Sequence, residues 1–159
     1  MSKMLDYLAE DDTLVVFDID GVLAVYEFGL SHSACPDEQW QDYIAEHDPY
    51  ATMRPVRQLQ RFIELKDPSR VYACSVAAPY EADCKRAFVK RNYAIPEDQV
   101  LIVENKQGKF DALRGLQEAS GLPQRKIALV EDTVKTLNMV YEQSDFTTVH
   151  VSSFFDYGL

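Results

Sequence analysis

The stretch LVVFDIDGVL, residues 14–23, decides the fold of this chain. Four apolar, strand-forming residues lead directly towards Asp18 and Asp20, which lie one residue apart and are followed by Gly21. The apolar run is continuous rather than alternating, which is typical of a parallel strand covered on both faces. The stretch therefore predicts a buried strand that brings two carboxylates to its carboxyl end, with the glycine allowing a sharp turn.

Four further apolar runs follow the same pattern and alternate with segments of helical periodicity. This alternation predicts an α/β fold with a parallel five-stranded sheet and helices on both faces. The predicted strands are LVVFDI from Leu14, VYACSV from Val71, VLIVE from Val100, IALVE from Ile127 and TTVHV from Thr147.

Helix signals lie between these strands. We predict one helix with Pro55 in its first turn, a second from Pro79 to about Asn92, and a third that ends at Gly121. A fourth follows Asp132. The predicted apolar face of this fourth helix comprises Val134, Leu137 and Tyr141.

Residues from about 24 to 53 interrupt the alternation. They contain PDEQWQDYIAEH, which predicts a short helix with Pro36 in its first turn. Because there is no repeat or flexible linker, we expect one domain over residues 1–159 with a small insertion after the first strand. The aromatic residues of this insertion are expected to build its own core, with stacking on a nucleobase or another flat ring as the alternative; they are Tyr26, Phe28, Trp40, Tyr43 and Tyr50.

Charge and composition exclude several classes of partner. Acidic residues outnumber basic residues by 26 to 16, which gives a formal charge of -10 and disfavours nucleic-acid polymers and anionic membranes. A small anion could still bind beside a metal ion and local lysines. The three cysteines lack metal-ligand spacing, and no apolar run approaches the length of a membrane span. We expect a cytoplasmic protein with reduced thiols.

Acidic and hydroxyl side chains are predicted at the carboxyl ends of three strands. Asp18 and Asp20 follow the first, Ser75 the second, and Glu131 with Asp132 the fourth. Ligands of open parallel sheets bind at this edge, where the strand order reverses. If the first and fourth strands are neighbours, four carboxylates converge and repel one another, so a positive charge must lie among them. Mg²⁺, which prefers oxygen ligands, fits best.

Two aspartates on one short turn also suit a two-step hydrolysis of a phosphate ester. Asp18 could attack phosphorus and form an aspartyl phosphate. Asp20 would reach the leaving-group oxygen, acting first as general acid and then as general base for water. Each residue also has a structural interpretation, since Asp followed by Gly is common in turns and Asp132 alone fits a helix N-cap. The joint placement of these residues favours the functional interpretation.

The chain carries an ordered set of motifs, which comprises FDIDGVL, Ser75, a lysine ahead of the fourth strand, and VEDT. This set resembles the haloacid dehalogenase superfamily of phosphatases and phosphotransferases. The resemblance spans residues 14 to about 151. It implies a Rossmann-like sheet, a magnesium cofactor, Asp18 as nucleophile and Asp20 as general acid and base. It also implies that Ser75 binds a phosphoryl oxygen.

The same resemblance implies the rest of the site. Glu131 and Asp132 would complete the magnesium site around Asp18, together with the backbone carbonyl of Asp20. Lys109 lies where the family's lysine usually lies, and it would offset the charge of the nucleophile and the phosphoryl group. Lys106 is close enough to compete with it, and we expect Lys85 to be a solvated surface charge.

The expected activity is therefore magnesium-dependent hydrolysis of a phosphate monoester. Asp20 favours this over carbon–halogen cleavage, because dehalogenases of the superfamily need no acid at that position. The short insertion suits a small phosphorylated substrate or a phosphorylated macromolecule. A nucleotide is a further candidate substrate, because DIDGVLA also resembles the first motif of the deoxyribonucleotidase branch. The alternatives from another class are a phospho-accepting signalling domain and a non-catalytic binding domain.

Overall fold

The computed structural model describes residues 3–25 and 37–157 of the chain. Within these residues, five parallel strands form the main sheet, so the predicted α/β class is confirmed. All five predicted strands are present, as β1 (Leu14–Phe17), β4 (Val71–Val76), β5 (Val100–Val103), β6 (Ile127–Glu131) and β7 (Thr147–His150). Their order is β5-β4-β1-β6-β7, and β2 (Ala24–Val25) pairs antiparallel with β3 (Arg54–Pro55) in a separate small sheet.

Helices cover both faces of the main sheet because the side chains of each buried strand alternate between two apolar clusters. In β1, Val15 and Phe17 belong to one cluster, and Leu14 and Val16 to the other. The helices are α1 (Lys3–Ala9), α2 (Trp40–His47), α3 (Pro49–Thr52), α4 (Arg57–Leu65), α5 (Pro79–Asn92), α6 (Lys106–Ser120) and α7 (Val134–Gln143).

Helices α1, α4 and α5 contribute to the first cluster, and α6 and α7 to the second. Gly121 ends α6 in the left-handed conformation at φ 68°, as the sequence predicts. None of the helices in the described ranges combines the length and the apolar composition that a membrane crossing requires.

Two details of the helix predictions are wrong. Pro55 pairs with Ala24 in β3, so α4 begins only at Arg57. Val134 and Tyr141 are exposed by 58% and 70%. The buried face of α7 is rotated away from them, and Leu137 lies at its edge rather than its centre; the residues of this face are Thr136, Leu137 and Val140.

Between β1 and α4, the structure describes residues 18–25 and 37–56. Asp37–Gln39 form one 3-10 turn, and α2 and α3 follow it. The predicted short helix is therefore present from Trp40, whereas Pro36, Tyr26 and Phe28 lie outside the described residues.

Helix α6 packs closely against the end of β5 at Gly108. A Cβ atom at this position would lie 2.9 Å from Cβ of Val103, at the end of β5. Such a contact is shorter than packed carbon atoms tolerate, and Val103 Cβ cannot swing aside because it is bonded to the backbone. Gly108 therefore sets the distance between α6 and the sheet, directly before Lys109.

A pair of alanine substitutions tests this close approach. Gly108→Ala is expected to destabilise the protein by about 1–3 kcal/mol, because overpacking forces the helix outwards. Gly115→Ala, on the same helix with no atom within 4 Å of the new Cβ, is expected to stabilise it by about 0.5–1 kcal/mol through helix propensity. Urea unfolding, monitored by circular dichroism, measures the free energy of unfolding of both variants. Equal stabilisation by the two substitutions would contradict the close approach.

Candidate active site

The site lies at the carboxyl edge of the sheet, where β1 and β6 are neighbours. Phe17 pairs with Val130, and the backbone N–H of Asp18 donates to the Val130 carbonyl at 2.9 Å. The residues that follow the two strands are thereby brought side by side, as the sequence predicts for this edge. A cleft of about 150 Å³ opens here, lined by Asp18, Asp20, Ser75, Val76, Lys106, Lys109, Glu131, Thr133 and Thr136.

A buried ammonium group links the two strand ends. Lys109 Nζ lies 2.9 Å from Asp18 Oδ1 and 2.6 Å from Glu131 Oε2, and only 4% of the residue is exposed. Burial alone would lower the pKa of Lys109, but the two carboxylates outweigh this effect and raise it above its ordinary value. Lys109 is therefore charged at neutral pH.

Asp18 itself is almost completely buried, with 6% exposed. Burial raises the pKa of its carboxyl above the ordinary value, and the contact with Lys109 partly offsets this effect. Its Oδ1 accepts hydrogen bonds from Lys109 and from the backbone N–H of Ile19 at 2.8 Å. The ion pair thus supports the ionised form of a carboxylate that its surroundings otherwise disfavour.

Asp18, Glu131 and Asp132 form the group of carboxylates that could hold a metal ion. One oxygen from each lies within 4.8 Å of the other two. The pKa of Asp132 is raised, by partial burial and then by Glu131, which indicates that negative charge is crowded here. Three hard oxygen donors at this spacing fit Mg²⁺, which accepts carboxylates and keeps several waters.

The turn after β1 leaves room for the Asp132 carboxylate because its glycine has no side chain. Gly21 has φ 75°, in the left-handed region that favours glycine, and a Cβ atom there would lie 2.3 Å from Asp132 Oδ2. Glu131 Oε1 accepts from the backbone N–H groups of Asp132 and Thr133, both at 3.1 Å. One carboxylate thus holds both Lys109 and the turn that carries Asp132.

Asp20 departs from the expectation that four carboxylates converge. Its Oδ2 accepts from Lys85 Nζ at 2.6 Å, and its Oδ1 accepts from the Tyr50 hydroxyl at 2.6 Å. The Asp20 side chain, with 31% exposed, still lines the cleft, but it lies outside the three-carboxylate group.

The prediction that Lys85 is a solvated surface charge is wrong. Only 1% of Lys85 is exposed, and its ammonium also donates to Ser75 Oγ at 3.2 Å and to the Val76 carbonyl at 2.8 Å. The sequence did carry a signal for this burial. Lys85 lies three and four residues before two apolar side chains on the inner face of α5, and the buried residues of that helix are Glu81, Lys85, Phe88 and Val89.

The remaining predicted residues lie at the same edge. Ser75, at 1% exposed, lines the cleft beside Lys85. Lys106 also lines it but is exposed, whereas Lys109 reaches Asp18. His150 was not among the predicted site residues, but it ends β7 opposite Glu131 and lies with Nε2 3.1 Å from the Asp132 carbonyl oxygen.

The described aromatic residues of the insertion pack mainly on the protein itself. Tyr50 is buried, with 1% exposed, and its ring lies edge-on to Phe88. Trp40 stacks on Tyr43, with ring centroids 5.7 Å apart, and its indole N–H donates to Glu81 on α5. These contacts favour the core interpretation for Trp40, Tyr43 and Tyr50.

Comparison with known proteins identifies a similar fold and no family. No protein-family model and no curated protein sequence matches this chain. Among solved structures, the chain is similar to the N-terminal part of a Bacteroides fragilis protein, whose crystal structure contains a phosphatase domain complexed with Mg. The TM-score is 0.57 at 15% sequence identity, over 91% of this chain and 38% of that chain. The chain therefore has the α/β fold of a phosphatase domain and spans well under half the length of that neighbour.

Proposed function

We propose that this protein is a magnesium-dependent phosphatase of the haloacid dehalogenase type, which hydrolyses a phosphate monoester through an aspartyl phosphate on Asp18. One observation carries the proposal. Asp18 lies in a cleft against a buried lysine and beside an acidic pair from the neighbouring strand. The similarity in fold to a phosphatase domain complexed with Mg supports the same class of reaction.

In the first step, a carboxylate oxygen of Asp18 attacks phosphorus, and the bond from phosphorus to the ester oxygen breaks. Among the described residues, the contacts to Asp18 fall on Oδ1, which leaves Oδ2 as the candidate attacking atom. The leaving alkoxide takes a proton from the carboxylic acid of Asp20. Ser75 binds a phosphoryl oxygen, and Lys109 offsets the negative charge that Asp18 and the phosphoryl group bring together.

In the second step, water attacks the phosphorus of the aspartyl phosphate and gives its proton to the Asp20 carboxylate. The bond from phosphorus to Asp18 breaks, which yields inorganic phosphate and restores the Asp18 carboxylate. Both aspartates return to their starting protonation states.

The candidate ligands of Mg²⁺ are Asp18, Glu131, Asp132 and the backbone carbonyl of Asp20. When bound there, Mg²⁺ would supply positive charge that draws the phosphoryl group and the nucleophile together. Glu131 has a second task, because it holds Lys109 and the turn of Asp132 in place.

The substrate is proposed to be a small phosphorylated molecule or a phosphorylated macromolecule, with 5′-nucleotides as one class to screen. A phospho-accepting signalling domain would take up one phosphoryl group per protein without turnover. Multiple turnovers on any phosphate ester would therefore exclude it.

Replacement of the nucleophile is the first test. Wild-type protein at millimolar Mg²⁺ is expected to release phosphate from p-nitrophenyl phosphate, and Asp18→Asn to lower the rate by at least about a thousandfold. Asp111→Asn, on the exposed surface of α6, is the matched control and is expected to keep the wild-type rate. Equal rates for wild type and Asp18→Asn would contradict the proposal.

Metal binding can be tested without turnover. In a Mg²⁺-free buffer at neutral pH, Asp132→Asn is expected to melt a few degrees higher than wild type. Its carboxylate has a raised pKa, so the ionised form destabilises the folded state above that pKa. Saturating Mg²⁺ is expected to stabilise wild type by about 2–3 kcal/mol and the variant much less. Equal gains in melting temperature on adding Mg²⁺ would exclude Asp132 as a ligand.

The leaving group tests the role of Asp20. Asp20→Asn is expected to slow hydrolysis of an alkyl phosphate by about 10²–10⁴-fold, because a poor leaving group needs a proton. Release of nitrophenolate, a good leaving group, is expected to slow far less. The initial burst and the steady-state rate are both measured on each ester, because Asp20 also acts in the second step and the burst reports the first step alone. Equal losses in the first step on both esters would remove Asp20 from the acid role.

A further inference from the structure

The Asp20 carboxylate accepts hydrogen bonds from two buried side chains that have no role in the two proposed steps. The Lys85 ammonium donates to Oδ2 and the Tyr50 hydroxyl to Oδ1, each at 2.6 Å. Lys85 and Tyr50 are each only 1% exposed. Each oxygen of the carboxylate therefore has its own donor, one from α5 and one from α3.

The contacts of Lys85 favour an indirect role, in which it acts through its neighbours. An ammonium group has three N–H bonds. In Lys85 they match three acceptors, which are Asp20 Oδ2, Ser75 Oγ and the Val76 carbonyl. A donor for substrate would have to be taken from one of these contacts. Lys85 acts through its neighbours, unlike Lys109, which holds the proposed nucleophile.

Tyr50 is equally fixed. Its backbone carbonyl accepts from Arg91 Nη2 at 2.8 Å, and its ring packs edge-on against Phe88, with centroids 6.4 Å apart. Both of these partners lie on α5, the helix that also carries Lys85. The phenol is therefore anchored to the helix that also carries the ammonium.

We infer that Lys85 and Tyr50 are positioning residues that fix the Asp20 carboxylate for proton transfer; this inference rests on the proposed function. Asp20 must meet the ester oxygen in the first step and a water molecule in the second. Holding the carboxylate from both oxygens restricts its rotation, so proton transfer begins from one geometry. Tyr50, which follows β1 in the small insertion, thereby contributes to the chemistry through its hydroxyl.

The experiment compares kcat/KM for glycerol 2-phosphate and p-nitrophenyl phosphate in matched variants. Tyr50→Phe removes one hydroxyl and Lys85→Met removes the charge at similar volume. Each is expected to lower the ratio of alkyl to nitrophenyl activity about ten- to a hundredfold. In the Asp20→Asn background, Tyr50→Phe is expected to change this ratio no further, because the two residues act as one unit.

The control variants carry the same two substitutions, Tyr to Phe and Lys to Met, at other buried positions. Tyr93 is buried, and its hydroxyl donates to the Leu23 carbonyl at 2.6 Å and accepts from the Val56 backbone N–H at 2.9 Å, so it contacts backbone groups rather than the Asp20 carboxylate. Lys66 is buried and donates to the carbonyls of Glu10 and Thr13 at the opposite edge of the sheet. Tyr93→Phe and Lys66→Met are expected to lower stability while leaving the activity ratio within about twofold of wild type.

A second measurement is independent of turnover. Asp20→Ala is expected to speed amide hydrogen exchange at residues 50–52 of α3, because that segment loses its link to the β1 turn. An active wild type with an unchanged ratio in Tyr50→Phe would overturn the positioning role. Unchanged exchange in Asp20→Ala would overturn the contact itself. A wild type that hydrolyses neither ester would overturn the proposed function, and the assignment of Asp20 with it.

Discussion

The Lys109 ammonium lies between the carboxylates of Asp18 and Glu131, and the arrangement of the whole site depends on this contact. A buried cation is stable only when it is paired, and two buried carboxylates on neighbouring strands repel each other unless a cation separates them. Lys109 satisfies both conditions at once. Gly108 brings it close enough, because only a residue without Cβ lets α6 approach Val103 as it does.

The fold makes this contact possible by bringing distant parts of the chain to one edge. The strand order β5-β4-β1-β6-β7 places the first strand beside β6, so Asp18 and Glu131 become neighbours although 112 residues lie between them in the sequence. Strand β4 on the other side of β1 brings Ser75, and α5 returns Lys85 over it. The site is thus divided into two halves. Lys109 holds the proposed nucleophile, and Lys85 holds the proposed acid and base.

Much of this arrangement follows from short-range patterns in the sequence. Continuous apolar runs identify the strands, and the acidic residues directly after them must lie at one edge once the strands are parallel. Lys85 could not be placed by that logic, because its burial depends on the face that α5 turns towards Asp20. The misplaced face of α7 has the same cause, since Val134 and Tyr141 share a helical spacing with Leu137 but lie off the contact with the sheet. Tyr50 depends on tertiary packing of the insertion, which no periodicity predicts.

The central claim is that Asp18 is phosphorylated during turnover, and mass spectrometry of Asp20→Asn protein quenched in acid tests it most directly. With p-nitrophenyl phosphate, this variant still has a good leaving group for the first step but lacks the base for the second, so the phosphorylated protein should accumulate. The account predicts one phosphoryl group on the peptide that contains Asp18. Release of nitrophenol with no phosphorylated protein, or with the phosphoryl group on another residue, would contradict it.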